Sequence, residues 1–153
     1  MFDQLWPVVV TTILPVAELR GGIPLGMGLG LDPALVIVTA FVINCLIFFP
    51  IYFVLEFLYE GFLDKSGFIR RIVERAQKRG AGIMKRYEVL GLAIFVGIPL
   101  PITGVWTGTI IAWFLDLDWK KSFLAICLGV LISATIVSII SLGLINGFGI
   151  LFV

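Results

Sequence analysis

Three stretches of this chain carry no charged residue: 23 residues from Pro33 to Leu55, 27 from Val89 to Leu115 and 32 from Ser122 to Val153. A helix needs about 20 apolar residues to cross a bilayer, so each stretch is long enough. Of the 153 residues, 60% are hydrophobic and 14% charged, where a soluble domain has roughly half and a quarter. Mean hydropathy is +1.14. The chain reads as an integral membrane protein with one membrane domain, residues 1–153. A soluble enzyme, a disordered tail and a secreted disulfide scaffold are excluded. The N-terminal Met-Phe-Asp-Gln lacks the basic region of a signal peptide, so the first apolar stretch is expected to stay in the mature protein.

The chain has no histidine. The usual proton shuttle and the commonest metal ligand are therefore missing, and no Ser-His-Asp or Cys-His arrangement can form. Cys45 and Cys127 lie inside apolar runs, and two thiols alone do not build a zinc or iron–sulfur site. They read as small packing residues. No metal, no cofactor and no enzymatic role is expected.

An internal repeat organises the rest. An offset of 86 residues brings Leu14-Pro15 onto Leu100-Pro101, Gly22 onto Gly108 and Leu31-Asp32 onto Leu117-Asp118. After each such block comes one long apolar run, 33–55 in the first half and 122–145 in the second. Each block is rich in helix breakers: Pro15, Gly21, Gly22 and Pro24 in residues 5–31, and Gly97, Pro99, Pro101 and Gly104 in residues 89–115. Proline inside a helix costs about 3 kcal/mol and glycine roughly 1. Two prolines with a central glycine predict a break in the middle of each block. Such a break at membrane depth is tolerated only where protein or a wet cavity satisfies the backbone. Each block is either a kinked span or a re-entrant hairpin.

Positive charge distinguishes the two. Eight of the eleven basic residues lie between Lys65 and Arg86, and Lys120-Lys121 add two. If both blocks cross fully, these groups fall on opposite faces. If both are hairpins, ten of the eleven are cytoplasmic, as the positive-inside rule prefers. The hairpin arrangement puts both termini outside and makes the two halves inverted, with broken helices near the midplane, a pattern found in transporters. The expected architecture is thus all-α: a first repeat (1–60), a basic segment (61–87) and a second repeat (88–153), each repeat a re-entrant hairpin followed by a transmembrane helix.

Segment 61–87 has apolar residues at helical spacing, from Phe68 to Ala76 and on to Tyr87. Arg70, Arg71, Arg75, Lys78 and Arg79 fill much of the remainder, with Ser66 as N-cap and Gly80 as a break. A basic amphipathic helix of this kind lies on the anionic cytoplasmic leaflet. Membrane lipids are its expected partner, and nucleic acid is not.

Glu18 and Arg20 are the chemically informative residues. An ionisable group in the bilayer needs a partner or water, at about 2.5–3.5 kcal/mol on insertion scales. Glu18 fits a proton-coupled carboxylate, and the competing reading is that the pair only locks one hairpin tip to other elements. In the second block, Pro99, Pro101, Thr103, Gly104, Trp106, Thr107 and Thr109 surround a potential half-helix N-terminus, whose N–H groups attract anions. Each threonine taken singly reads as bonding back to its own helix. Asn44 either packs across helices or lines a pathway. Gly129, Ser133, Ala134 and Ser138, and Gly143 with Gly147, read as close helix packing. The candidate substrate- and ion-binding set is Glu18, Arg20, Gly21, Gly22, Pro24, Asn44, Pro99, Pro101, Thr103, Gly104 and Thr107.

The string Glu18-Leu-Arg20-Gly-Gly-Ile-Pro24-Leu-Gly, with Gly97-Ile-Pro99-Leu-Pro101-Ile-Thr103-Gly104, resembles the small multidrug export family, which looks like a branch of the DedA superfamily. The resemblance covers nearly the whole chain. It implies two membrane-embedded re-entrant helices and ion- or proton-coupled movement of polyprenyl-phosphate or phospholipid headgroups. Glu18 matches the acidic residue of the first hairpin motif. The sequence departs from DedA proteins in its second hairpin: these carry a functional arginine there, while Val96 to Trp113 has no charge here. Arg20 is the residue left to supply it.

The expected function is a small secondary transporter or lipid translocase in the cytoplasmic (inner) membrane, multi-pass, coupled to protons or Na+ and moving an anionic headgroup. Drug export and a non-transporting scaffold are the alternatives. Two spans are little to seal a pathway, so a homodimer or larger assembly is expected.

Overall fold

The structure, a computed structural model, describes residues 2–59, 87, 89–100 and 103–151. Among them all regular secondary structure is helical: α1 (Phe2–Ile13), α2 (Glu18–Gly28), α3 (Pro33–Leu58), α4 (89–97), α5 (Val105–Phe114) and α6 (Trp119–Leu151). Segment 61–87, with Arg70, Arg71, Arg75, Lys78 and Arg79, lies outside the described residues except for Tyr87, and so does Pro101.

Helices α3 and α6, with 26 and 33 residues, reach about 39 and 50 Å at 1.5 Å per residue, enough for a hydrocarbon core of about 30 Å. Pro33–Leu58 and Trp119–Ile145 are long and apolar enough to cross a membrane, with charges only near their ends, at Glu56 and at Lys120 and Lys121. Large apolar side chains face outward along both, among them Val38, Val42, Leu46 and Phe53 on α3 and Leu124, Leu128, Leu131 and Ile139 on α6. Water would penalise such a surface, and lipid does not.

The other arms are short. α1 has 12 residues, α2 11 and α5 10, about 15–18 Å each and well under a bilayer. α1 and α2 run antiparallel. Gly26 faces Val8, and Gly22 faces Thr12, which is nearer the end of α1. α4 and α5 pair likewise, with Gly108 against Val96 and Leu92. The α1–α2 break stands against the second half of α3, where Ile13 shares a groove with Ile47, Pro50, Ile51, Val54 and Leu55. The end of α4 stands part-way along α6, so close that a Cβ on Gly97 would meet the Ile132 side chain at 3.2 Å.

Both predicted mid-block breaks are present, but they use fewer residues than expected. Leu14 to Ala17 interrupts the first block, as Pro15 requires. Gly21, Gly22 and Pro24 do not break the chain; they sit inside α2. The reason is packing. A Cβ on Gly22 would collide with the Thr12 hydroxyl, and one on Gly26 would come within 2.7–2.8 Å of Val36 and Val8. Close approach of the arms offsets the roughly 1 kcal/mol that each glycine costs a helix. Pro24 points outward and removes a single helical bond.

The turns from α2 into α3 and from α5 into α6 are built alike. In the first, Leu29, Gly30 and Leu31 donate their N–H groups to the carbonyls of Leu25, Met27 and Gly26; in the second, Leu115, Asp116 and Leu117 donate to Ile111, Trp113 and Ala112. Every pair is shifted by the 86 residues of the sequence repeat. Both are Schellman closures with a left-handed residue at the same place, Gly30 at φ +76° and Asp116 at φ +54°. Asp32 then caps α3 by accepting from the Leu35 N–H at 2.9 Å, and Asp118 caps α6 by accepting from Lys120 and Lys121 at 3.0 and 3.1 Å.

α3 and α6 pack antiparallel. The Phe123 ring lies 5.4 Å from Phe48 and 4.9 Å from Phe49, while Phe41 and Leu131 line one groove further along. At the far end of α3, Trp113 donates its indole N–H to the Glu56 carboxylate at 3.1 Å, and Tyr59 meets the Trp113 ring. The end of α3 and the start of α6 are therefore neighbours.

Candidate functional site

The site begins with an uncapped helix. The first N–H groups of any α-helix have no partner within it, and α5 starts after Gly104, which has no side chain to offer. Thr107 reaches back and accepts from the Gly104 N–H at 3.1 Å. The next two N–H groups, those of Val105 and Trp106, donate to Glu18 Oε2 and Oε1, each at 3.3 Å. The carboxylate of the first hairpin thus closes the first turn of the second. Glu18 is only 4% exposed, and a negative charge is favoured at this end of the helix dipole. Its backbone is in the left-handed region at φ +46°, which a residue other than glycine rarely adopts. Such local strain, held by the surrounding contacts, gathers at functional positions.

Arg20 does the opposite task at the opposite helix end. Its guanidinium donates to the carbonyls of Leu100 and, at 3.0 Å, Ile98, where α4 has stopped, and meets Thr103 Oγ1 at 3.4 Å. A cation belongs at the carbonyl end of a helix. Thr103 adds its hydroxyl hydrogen to the Ile98 carbonyl at 2.7 Å. Glu18 and Arg20 therefore straddle one break, the acid on the N–H side and the base on the carbonyl side. Among the described residues their side-chain hydrogen bonds all run to the second hairpin.

The second hairpin returns one bond. The Trp106 indole N–H donates to the Ile13 carbonyl at 3.2 Å, where α1 stops. Trp106 stands 86 residues after Arg20, so residues at equivalent places in the two halves each close the helix that ends in the other half.

Glu18, Arg20, Pro99, Thr103, Gly104 and Thr107 come together here. The charge absent from the second hairpin is supplied to its break by Arg20. Gly21, Gly22 and Pro24 lie along α2, away from the tip contact. Asn44 is fully buried on α3 between Ala40 and Phe48, and neither end of its amide has a hydrogen-bond partner among the described residues. Thr12 and Thr109 bond back to the carbonyls of Val8 and Val105, as threonines in helices do. The role of Trp106 is not legible from its own surroundings in the sequence; the repeat offset that aligns it with Arg20 is the signal that finds it. Among the described residues no group of three or more acidic, cysteine or histidine side chains could hold a metal.

Beside the tips runs an apolar groove lined by Ile13, Ile47, Pro50, Val54, Trp106 and Ile110. Trp106 is common to groove and tip contact.

A family model described as "Putative small multi-drug export protein" matches residues 18–136. The chain belongs to this family. The match opens at Glu18 and takes in both partners of its carboxylate, the whole of α2, α3 and α5, and much of α6. No curated protein and no solved structure matches the chain. With two long apolar helices and the match to this family, the small multidrug export chain is an integral membrane protein.

Proposed function

We propose that the chain is a small secondary transporter of the cytoplasmic membrane, built from two inverted repeats whose re-entrant hairpins meet tip to tip. The half-length antiparallel arms, the two matched turns and the antiparallel α3–α6 pair support this arrangement. The burial of Glu18 against the open end of α5 carries the functional reading. An ionised carboxylate is a strong acceptor for those two N–H groups, and a protonated one is weaker. Protonation of Glu18 releases the α5 terminus, which can then take an anionic headgroup with Arg20 nearby. Release of the proton restores the internal cap and expels the anion, so proton and anion move together.

The groove along α3 and α5 supports an amphiphilic substrate, its apolar body against Ile47, Pro50 and Val54 and its polar end at the tips. A lipid phosphate, as the DedA resemblance implies, has this form. The second reading is export of apolar drugs, which the same groove and the family's description favour. Contact of the basic segment 61–87 with the cytoplasmic leaflet and enclosure by a homodimer or larger assembly belong to the same reading.

The test is transport by purified protein in liposomes, with and without a pH gradient, against polyprenyl phosphates, phospholipids and cationic drugs. Proton-dependent movement of the phosphate lipids, lost in Glu18→Gln, is expected. Movement of cationic drugs alone would replace the anion reading with drug export. No movement of any of them would leave a scaffold.

A further inference from the structure

Cys45 and Cys127 come from different halves of the chain, and the register of α3 and α6 brings them together. On one side of them Phe49 faces Phe123 at 4.9 Å. On the other, Phe41 and Leu131 line one groove. In an antiparallel pair each step forward on α3 is matched by a step back on α6. Cys45 lies midway between Phe41 and Phe49, and Cys127 midway between Leu131 and Phe123, so the two face each other. The thiols are neighbours, and both are free. Cys45 is buried, while Cys127 is partly open. The pair lies well inside the apolar length of both helices, where charged oxidants and thiol reductants of the cytoplasm do not dissolve. Small neutral oxidants do.

We propose that Cys45 and Cys127 are a modification site: a dithiol that closes to an intramolecular disulfide between α3 and α6 when a hydroperoxide enters the membrane. The more open Cys127 sulfur attacks one peroxide oxygen and becomes a sulfenic acid as the O–O bond breaks, and the other oxygen takes the Cys127 thiol proton and leaves as water, or as an alcohol from an organic hydroperoxide. The Cys45 sulfur then attacks the sulfenic sulfur. The S–S bond forms, the S–O bond breaks, and the hydroxyl departs with the Cys45 proton as water. The two thiols lose two electrons in all, and the peroxide gains them. The product ties together the long helices of the two halves.

The test needs only the full chain in liposomes. Hydrogen peroxide is added, the protein is denatured, and free thiols are counted with a maleimide mass tag on a non-reducing gel. Two tags before oxidation, none after it, monomer mobility throughout and recovery of both tags with dithiothreitol are expected. Mass spectrometry should then find one peptide pair joined through Cys45 and Cys127. In Cys45→Ser the remaining thiol should instead pass to an acid that dithiothreitol does not recover. Retention of both tags at peroxide doses that oxidise dodecanethiol in the same membrane would overturn the proposal. So would loss of the Cys127 tag alone in the unmodified sequence, or a dimer linked through Cys127.

Discussion

Glu18 occupies the space that a side chain at Gly104 would need, and it performs the capping that such a side chain would have performed. A Cβ on Gly104 would run into the Glu18 carboxylate. The Gly104 backbone is extended, at φ −178°, so the glycine answers a need for room and not for an unusual conformation. Separate hairpins are joined because one end of a helix is left for the other hairpin to finish.

Gly104→Ala is therefore expected to displace the carboxylate and lower stability by about 1–2 kcal/mol, the worth of a lost N-cap. Thermal melting in detergent measures this. Adding Glu18→Ala should cost less than the sum of the two single changes, because the collision is then gone and the cap was already lost.

Glu18→Gln keeps the shape and one acceptor oxygen but cannot gain or lose a proton. The protein should stay folded, and transport should lose its pH dependence. Arg20 keeps its carbonyl partners, so the substitution does not strand its charge. Unfolding of Glu18→Gln, with rescue when Arg20 is also made neutral, would instead make the pair structural, at the roughly 3–5 kcal/mol expected for a broken buried pair. Melting curves and transport at several pH values on the same preparations separate the outcomes.

Arg20→Lys retains the charge and loses the fork. A guanidinium spans two carbonyls and Thr103, while an ammonium is a point donor on a flexible stem. A loss of about 1.5–3 kcal/mol is expected, the range for a hydrogen bond to a charged group. Arg20→Lys melting near the unsubstituted protein would show that charge alone holds the α4 end.

Asp116 and Gly30 hold the same left-handed place in the two matched turns. Asp116→Gly should stabilise, and Gly30→Ala should destabilise, each by about 1 kcal/mol. Opposite signs of the change in melting temperature would check the equivalence directly.

Single cysteines at Arg75 and Lys120, in a protein lacking Cys45 and Cys127, should be labelled from the same side of the membrane. Labelling from opposite sides would restore two full crossings in place of the hairpins.

Much of the fold is legible in the sequence because the strongest signals are local. Charge-free runs mark α3 and α6, Pro15 marks the first break, and the repeated Leu-Asp pairs at 31–32 and 117–118 stand where the two Schellman turns end and the next caps begin. Glu18 and Arg20 stand out as charges in apolar sequence. Their partners do not, because backbone N–H and carbonyl groups have no letter in a sequence. Gly22 is read as a breaker for a similar reason: only the neighbouring Thr12 turns the missing Cβ into a packing advantage. The cysteines read as inert until the register of α3 against α6 is known.

The exchange of bonds between the tips also bears on how the chain is made. When synthesis has reached α3, the Glu18 carboxylate, the Arg20 guanidinium and the Ile13 carbonyl are already in place, yet residues 98, 100 and 103–106, which complete them, have not emerged. In the proposed re-entrant arrangement these groups lie within the bilayer and find no water to replace those partners. The amino-terminal half must therefore wait in an unfinished state, at the membrane surface or beside other proteins, until its carboxy-terminal counterpart arrives.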